Sequence, residues 1–435
     1  MILRDPVHGL VSFEGIAQQV VERLLDTREV QRLRNVRQLG FTSLVFPGAE
    51  HSRFAHSLGA THVMVRILDR IRDVQAVLPP EQRIDDEAEA DALAAALLHD
   101  LGHGPFSHLF EEVLSGARPH EEWTLEVILD PDTDVHRALS GMSAGMPERV
   151  ADLISGRHRL GYLARCISGK LDADRADYLL RDSHMTGVSY GVYDLDWLLR
   201  AQTFGQVGDG EWVLAIEGRK GLPPIEGFFL ARQFMYEQVY HHKATRAAET
   251  LIRAIFVRAA ELVRDGSPPR GFPRALTCAA LGEPVPLSDY LALDDVQLLS
   301  CFRSWEQGAD ATLRELTCAL SCRQLPKTLP LPTGPRQEEQ WKLALERTRE
   351  LVDAAGIRSD LWVRLDVATD VPYEEPTGGE AGGLWVVISH QPIQRLGECS
   401  FLLGQLRNQR IDRPRLIFPR SVRERVEAEI GAILA

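Results

Sequence analysis

The densest group of metal-ligating and proton-transferring side chains lies in residues 94–110, AAALLHDLGHGPFSHLF, and just beyond them. Imidazole and carboxylate groups are ligands that divalent transition metals prefer, and carboxylates also bind magnesium. A lone His–Asp pair is commonly structural, but the number of such groups here exceeds what a packed core requires. The predicted metal-dependent site therefore starts from five residues, His99, Asp100, His103, His108 and His120.

Two flanking segments carry charged side chains that suit a phosphate ester. In FPGAEHSRFAHSLG, Arg53 and His56 lie three positions apart and can share one face of a helix start. The arginine guanidinium offers a planar fork that matches phosphate. Neighbouring acids repel one another unless they face a cation or an ion pair, although a solvated helix surface is the alternative. Such acids are concentrated in LDADRADYLLRDS, at Asp172, Asp174, Asp177 and Asp182.

Helices are expected to position these segments. From Gly15 to about Val263, apolar residues mostly recur at three- and four-residue spacing, which predicts a succession of amphipathic helices. Within that part a strand is predicted at Trp212–Ile216. Stretches rich in proline and glycine, at Gly266–Pro286 and Leu325–Pro335, interrupt the helical pattern.

The C-terminal part has a mixed pattern. Strands are predicted at Leu361–Ala368, Leu384–Ser389 and Arg415–Phe418, and a closing helix at Val422–Leu434. We therefore predict a helical domain over residues 1–324 and a small α+β subdomain over residues 338–435.

Length and composition set further limits. The chain has 435 residues, of which 44% are hydrophobic, enough for one large core or two smaller ones. With 49 basic and 62 acidic residues its formal net charge is −13, which argues against nonspecific nucleic-acid binding. The start, MILRDPVHGL, lacks the pattern of a signal peptide, and no apolar run approaches the ~18 residues of a membrane span. We therefore expect a cytoplasmic protein without a membrane partner.

Five segments together resemble one known family. They are DPVHG from Asp5, DTREVQRLRNVRQLG from Asp26, VFPGAEHSRFAHSLG from Val45, LLHDLGHGPFSH from Leu97 and DADRADYLLRDSHMTGV from Asp172. Their joint order and spacing resemble the HD-domain phosphohydrolases, and within them the deoxynucleoside triphosphate triphosphohydrolases. The resemblance covers roughly residues 1–260. It implies a mainly α-helical HD-domain phosphohydrolase fold, with a small α+β region at the C-terminus.

The resemblance implies a divalent metal site and a set of catalytic residues. The implied metal ligands are His56, His99, Asp100 and Asp174. The ion is Mn, Mg, Fe, Co, Ni or Zn, and the sequence does not select among them. The implied catalytic residues are Arg53, His103, His108, Glu111 and His120. Of these, Arg53 contacts phosphate, His108 is the predicted proton donor to the leaving group, and Glu111 orients His108 unless it forms a surface ion pair.

The same resemblance implies nucleotide contacts at Gln38, Leu39, Arg175, Tyr178, Asp182, Arg232, Tyr236, Tyr240 and Lys243. Tyr240 is expected to pack against the sugar and to exclude a 2′-hydroxyl. Tyr236 stands where the vertebrate member of this family has histidine, which leaves the preferred base open. A site for an activator nucleotide is a weaker expectation, because a solvated or subunit-facing helix surface is the commoner explanation for its residues, Asp26, Gln31 and Arg34.

The predicted activity is metal-dependent hydrolysis of a deoxynucleoside triphosphate to a deoxynucleoside and inorganic triphosphate. One alternative is hydrolysis of another nucleotide phosphoester, such as a monophosphate or a guanosine alarmone. Another is nucleotide sensing without turnover, but all four implied metal ligands are present, which favours an enzyme. Because family members assemble, a homodimer or homotetramer is expected. Both control of nucleotide pools and defence against phage are compatible with this activity.

Overall fold

A computed structural model describes residues 1–106, 118–208, 210–334, 337–376 and 383–434. These residues form a mainly helical protein with three small sheets, which confirms the predicted fold class. Up to residue 264 the described helices are α1 (Gly15–Leu24), α2 (Arg28–Arg32), α3 (Arg53–Val74), α4 (Asp86–Leu98), α5 (His120–Leu129), α6 (Asp134–Met142), α7 (Met146–Ile154), α8 (Gly161–Ala164), α9 (Ala173–Thr186), α10 (Leu195–Arg200), α11 (Leu222–Met235) and α12 (Lys243–Arg264).

Shorter helices dominate the rest of the described chain. They are α13 (Arg274–Leu281), α14 (Leu287–Leu291), α15 (Asp295–Trp305), α16 (Ala311–Ser321), α17 (Gln337–Asp353), α18 (Ser359–Trp362), α19 (Leu396–Cys399), α20 (Phe401–Leu406) and α21 (Arg423–Leu434). Between α11 and α12 the helix widens into a π-helical turn, Tyr236–Tyr240. Single 3₁₀ turns lie at Leu33–Asn35, Thr42–Leu44, Gln75–Val77, Pro80–Gln82, Arg219–Gly221 and Arg420–Val422. Within the described ranges, every helix is too short or too polar to span a lipid bilayer.

The strands form one hairpin and two larger sheets. They are β1 (Ile2–Asp5), β2 (Gly9–Ser12), β3 (Gln202–Val207), β4 (Glu211–Glu217), β5 (Lys327–Pro330), β6 (Arg364–Asp370), β7 (Trp385–Val387), β8 (Gln394–Arg395) and β9 (Ile411–Phe418). The antiparallel β1–β2 hairpin pairs Asp5 with Gly9. The second sheet has the order β3-β4-β7-β8, and the third the order β5-β9-β6.

The two strands predicted around residues 372–383 belong to different sheets. Strand β7 runs parallel to β4, with Ile216 opposite Val386. Strand β6 instead pairs antiparallel with β9, with Leu365 opposite Leu416. Val386 of β7 also joins the core of the N-terminal helices, whereas Leu416 and Phe418 of β9 belong to a separate buried cluster. The two-domain division drawn from the sequence stays a prediction.

Helix α4 lies at the centre of the main core. Its side chains are buried from Ala92 to Leu98, and it contacts α1, α3 and α7. The helix begins where the Asp85 side chain accepts a hydrogen bond of 2.8 Å from the backbone N–H of Ala88. It ends at Leu98, and the chain turns through residues 99–105. The next two residues, His99 and Asp100, are therefore held at a fixed place beside the core.

Helices α3 and α9 approach each other closely at Gly59. A methyl group at this position would overlap the Asp177 carboxylate and the Arg181 guanidinium. Both of these side chains are fully buried, so neither has free space to move into. Glycine therefore permits the helix contact that places a charged pair behind α3.

Replacing Gly59 with alanine tests this contact. Alanine favours a helix over glycine by about 1 kcal/mol, but we expect overlap with the buried ion pair to lower the free energy of unfolding of Gly59→Ala by about 1–3 kcal/mol. The matched control is Gly227→Ala in α11, where a methyl group meets no atom within 4 Å and stability should be kept or raised. Urea denaturation of both variants measures the difference, and equal stabilities would contradict the proposed overlap.

Candidate active site

Three helix ends bring the predicted metal ligands together. Arg53 and His56 lie in the first turn of α3, and His99 and Asp100 directly follow α4. Asp174 lies in the first turn of α9, whose start is capped by the Asp172 side chain accepting from the backbone N–H of Arg175 at 2.8 Å. Residues more than a hundred positions apart therefore meet at one place because the helices that carry them pack together.

His56, His99 and Asp174 have the geometry of a metal site. One ligand atom from each lies within 4.8 Å of the others. Asp174 Oδ1 is 3.0 Å from His56 Nε2 and 3.5 Å from His99 Nε2, and the two Nε2 atoms are 3.3 Å apart. The His56 side chain is fully buried, whereas that of Asp174 is 33% exposed, so the group is open on the Asp174 side.

The hydrogen bonds behind the two imidazoles fit a bound cation. His56 Nδ1 lies 2.8 Å from Asp177 Oδ2, and His99 Nδ1 lies 2.9 Å from the Ala96 carbonyl oxygen. Both partners accept hydrogen bonds, so the Nδ1 atoms carry the protons in the neutral imidazoles and the Nε2 lone pairs point toward each other. Two converging lone pairs and a carboxylate oxygen form a donor set that suits a divalent transition metal.

Asp100 joins the group from the side of Arg53. Its Oδ1 lies 3.4 Å from His99 Nε2, and its Oδ2 lies 3.7 Å from His56 Nε2. Arg53 Nη1 donates a hydrogen bond of 2.6 Å to Asp100 Oδ2. Burial acts to raise the pKa of Asp100, but the charges of Arg53 and His99 outweigh it and hold the pKa well below its usual range. The carboxyl group is therefore ionised at neutral pH.

A cavity of about 680 Å³ opens on this group. The predicted substrate and catalytic residues that line it are Gln38, Leu39, Arg53, His103, His120, Arg175, Tyr178, Asp182, Tyr236 and Tyr240. Of the four predicted metal ligands, His99, Asp100 and Asp174 line it as well. A volume of this size is typical of a small-ligand site.

Three tyrosines form one wall of the cavity. The Tyr240 ring lies edge-on to Tyr178 at 6.3 Å and to Tyr236 at 5.0 Å between ring centroids. The Tyr240 hydroxyl donates a hydrogen bond of 2.8 Å to Asp182 Oδ2. On its other oxygen, Asp182 is 2.8 Å from His51 Nε2. The wall is therefore anchored to a buried carboxylate rather than held by apolar contacts alone.

The two predicted catalytic histidines within the described residues stack on each other. The rings of His103 and His120 are 3.8 Å apart between centroids and nearly parallel. His103 Nε2 lies 3.3 Å from Asp100 Oδ1. Burial and the charge of Arg53 lower the pKa of His103 well below its usual value, so its imidazole is neutral at neutral pH. The predicted catalytic residues His108 and Glu111 lie outside the described residues.

Some predicted residues lie away from the cavity. Arg232 lines an adjoining cavity of about 620 Å³, which shares Arg175 and Tyr236 with the first. Its guanidinium lies 4.3 Å from the Tyr236 ring centroid and 3.3 Å from Asp370 Oδ1. Lys243 lines a separate cleft of basic side chains.

The predicted activator residues lie on the surface near α2. The Gln31 amide donates to the Leu25 carbonyl, and Arg34 Nε donates to Gln31 Oε1 at 2.8 Å. Asp26 and Arg34 are exposed. Among the described residues, none of these three lines the cavity at the metal ligands, and the activator site stays a prediction.

Two residues that support the candidate site were given no site role from the sequence, although Asp177 was noted among the clustered acids. Asp177 fixes the tautomer of His56, and His51 holds Asp182. Asp177 follows Asp174 by three positions in the acidic segment, a spacing that places both on one face of α9. That spacing could have predicted that Asp177 lies beside the metal ligand Asp174. His51 gave no such signal, because its contact with Asp182 joins residues 131 positions apart.

Comparisons with known proteins identify the family of the chain. Residues 53–182 match the HD domain family. The chain is 34% identical over 424 residues to the uncharacterized protein YwfO of Bacillus subtilis, a match that covers 97% of this chain and 92% of that protein. A crystal structure of a phosphohydrolase from Bacteroides thetaiotaomicron has a TM-score of 0.78 and 27% identity, covering 97% of this chain and all of the other. The chain belongs to the HD-domain phosphohydrolase family.

A more particular similarity is to a deoxynucleoside triphosphate triphosphohydrolase. The chain is 32% identical over 274 residues to the SAMHD1 homolog of Dictyostelium discoideum. This match covers 60% of the present chain and 50% of that enzyme. The match thus spans half the length of that enzyme.

Metal binding at this site should depend on pH. Burial lowers the pKa of His56, but hydrogen bonds to Asp174 and Asp177 outweigh it and raise the pKa to about 10. A metal ion must therefore displace a proton from His56 below that pH. We expect the affinity for Mn²⁺ to rise between about pH 6 and pH 9, with proton release on binding.

Calorimetric titrations in buffers of different ionisation enthalpy measure both quantities. An affinity independent of pH, without proton release, would refute His56 as a ligand. Asp174→Asn should bind Mn²⁺ much more weakly, whereas Asp196→Asn, at a side chain that is 86% exposed, should bind it like the parent.

Proposed function

We propose that the protein hydrolyses deoxynucleoside triphosphates to deoxynucleoside and inorganic triphosphate, with a divalent metal ion as cofactor. The observation that carries the proposal is one cavity, which is lined by three of the four predicted metal ligands, by Arg53 and Arg175, and by the tyrosine wall. A polyphosphate needs cationic partners, and a nucleoside needs an aromatic and hydrogen-bonding surface. The similarity to the Dictyostelium enzyme supports the choice of substrate.

His56, His99, Asp100 and Asp174 would hold the metal ion. When bound there, a divalent ion supplies Lewis-acid activation of water and neutralises phosphate charge. Arg53 would balance charge that develops on the reacting phosphoryl group while it keeps Asp100 ionised. In the described residues Arg53 already donates to Asp100 at 2.6 Å, so its guanidinium is oriented toward the site before any substrate binds.

The nucleoside would lie along the tyrosine wall. Tyr240 is oriented by its hydrogen bond to Asp182 and presents its ring to the cavity. Asp182 lies within reach of a sugar hydroxyl at the same wall, because its side chain also lines the cavity. His108 remains our proposed proton donor to the departing 5′ oxygen, a role for which imidazole is suited near neutral pH.

Asp174→Asn tests the metal centre in catalysis. We expect the variant to lose more than about 100-fold in kcat/KM, because it removes the carboxylate that bridges both imidazoles. Each deoxynucleoside triphosphate is incubated with metal-loaded protein, and deoxynucleoside, diphosphate and triphosphate products are separated. Asp196→Asn should keep the parental rate. Undiminished hydrolysis by Asp174→Asn would refute the site, and release of monophosphate or pyrophosphate would refute the reaction.

Tyr240→Ala tests the exclusion of ribonucleotides. Removing the ring opens space beside the sugar, so we expect the ratio of kcat/KM for GTP to that for dGTP to rise. Tyr240→Phe keeps the ring and loses only the hydroxyl that donates to Asp182. Tyr240→Phe should therefore discriminate between GTP and dGTP like the parent, although it should bind nucleotide more weakly. An unchanged ratio in Tyr240→Ala would show that another residue reads the 2′ position.

A further inference from the structure

The N-terminal motif DPVHG forms the turn of the β1–β2 hairpin. Asp5 Oδ1 accepts backbone hydrogen bonds from Val7 at 2.8 Å and from His8 at 2.9 Å. Gly9 has φ of 73°, a backbone conformation that favours glycine. The turn is therefore fixed by its own side chain, and it presents His8 in one direction.

The tip of this hairpin reaches a buried ion pair behind the metal ligands. His8 Nε2 lies 2.7 Å from Asp177 Oδ1, and these side chains are 4% and 0% exposed. Asp5 Oδ2 accepts from Arg181 Nη1 at 2.8 Å. The Arg181 guanidinium also donates to both oxygens of Asp177 at 2.8 Å.

Every contact of the Asp177 carboxylate is therefore assigned. Oδ1 faces His8 and Arg181, and Oδ2 faces His56 and Arg181. A carboxylate held on four sides cannot rotate without breaking charge-assisted hydrogen bonds. It consequently fixes both the orientation of the His56 ring and the proton on its Nδ1.

The apolar side of the hairpin does not need these polar contacts for docking. Val11 and Phe13, on and just after β2, are 2% and 0% exposed and belong to the main core. Burying an ion pair costs desolvation free energy and is weak evidence for a role in stability. This ion-pair network contacts His56, a predicted metal ligand. Its desolvation cost is therefore better explained by the orientation that it imposes on the His56 ring than by a gain in stability.

We infer that Asp5 and His8 are positioning residues for the metal centre, acting on His56 through Asp177 and Arg181. Partners of this kind behind a metal-bound histidine commonly change metal affinity by about 10- to 100-fold. The hairpin is thus a part of the metal site that contributes no ligand. The inference rests on the metal centre of the proposed function but not on the identity of the substrate.

The test is Mn²⁺ binding by the full-length, metal-free protein without nucleotide. His8→Leu and Asp5→Asn should each weaken binding by about 10- to 100-fold. His8→Gln keeps an N–H donor and should recover part of the affinity. Leu10→Ala, at a side chain in the same hairpin that is 56% exposed, should bind Mn²⁺ like the parent.

Two further readouts separate positioning from folding. Removing a partner from a buried ion pair also lowers stability, so melting temperatures of the metal-free variants are measured first, and Mn²⁺ affinity is compared at a temperature at which each variant is folded. The downfield proton resonance of His56 Nδ1–H should shift in His8→Leu and Asp5→Asn, because its acceptor Asp177 is then held less firmly. If His8→Leu does not fold, Asp5→Asn and His8→Gln decide the question by the same measurements.

Parental Mn²⁺ affinity in folded His8→Leu and Asp5→Asn would overturn the inference. So would an equal loss in Leu10→Ala, because the hairpin would then act only through its packing. Failure of the parent chain itself to bind Mn²⁺ would instead refute the metal centre. Absence of dNTP hydrolysis by a parent that binds Mn²⁺ would refute the proposed substrate and leave the hairpin result standing.

Discussion

The close contact of α3 and α9 is the constraint on which the site depends. Asp177 and Arg181 of α9 are fully buried where α9 packs against α3, and only a glycine at position 59 of α3 leaves room for their side chains. Because of this contact Asp177 Oδ2 lies 2.8 Å from His56 Nδ1, and His56 Nε2 lies 3.0 Å from Asp174. A shift between the two helices would separate His56, on α3, from both Asp174 and Asp177, on α9.

Much of the site could be predicted from the sequence because its residues occur in short segments with strong chemistry. His99 and Asp100 follow an apolar helix, and Arg53 and His56 begin another, as their spacing indicated. The supporting shell was harder to predict. The pairs of His51 with Asp182 and of His8 with Asp177 span 131 and 169 positions, and no local pattern specifies such contacts.

In the fold, too, local features could be predicted from the sequence, whereas contacts between distant segments could not. The helical part, the strand near Trp212 and the closing helix follow from periodicity, which is a local property. The order of strands in a sheet does not follow from periodicity, because strand pairing depends on how the strands pack against the rest of the protein. Thus β7 pairs with β4, far back in the chain, and residues near Leu361, predicted as strand, form the short helix α18 before β6 begins at Arg364. The β1–β2 hairpin is too short to show a period.

The C-terminal sheet also supports the wall of the cavity at the candidate metal ligands. Arg246 and His241 line that cavity. Arg246 Nη2 is 2.6 Å from the Asp366 carboxylate of β6, and Arg415 of β9 donates to the His241 carbonyl at 3.0 Å. These contacts tie the end of the π-helical turn and the start of α12 to the sheet. A shift of this sheet would therefore move Arg246 and His241 in the cavity wall, whereas the candidate metal ligands lie on or directly after α3, α4 and α9.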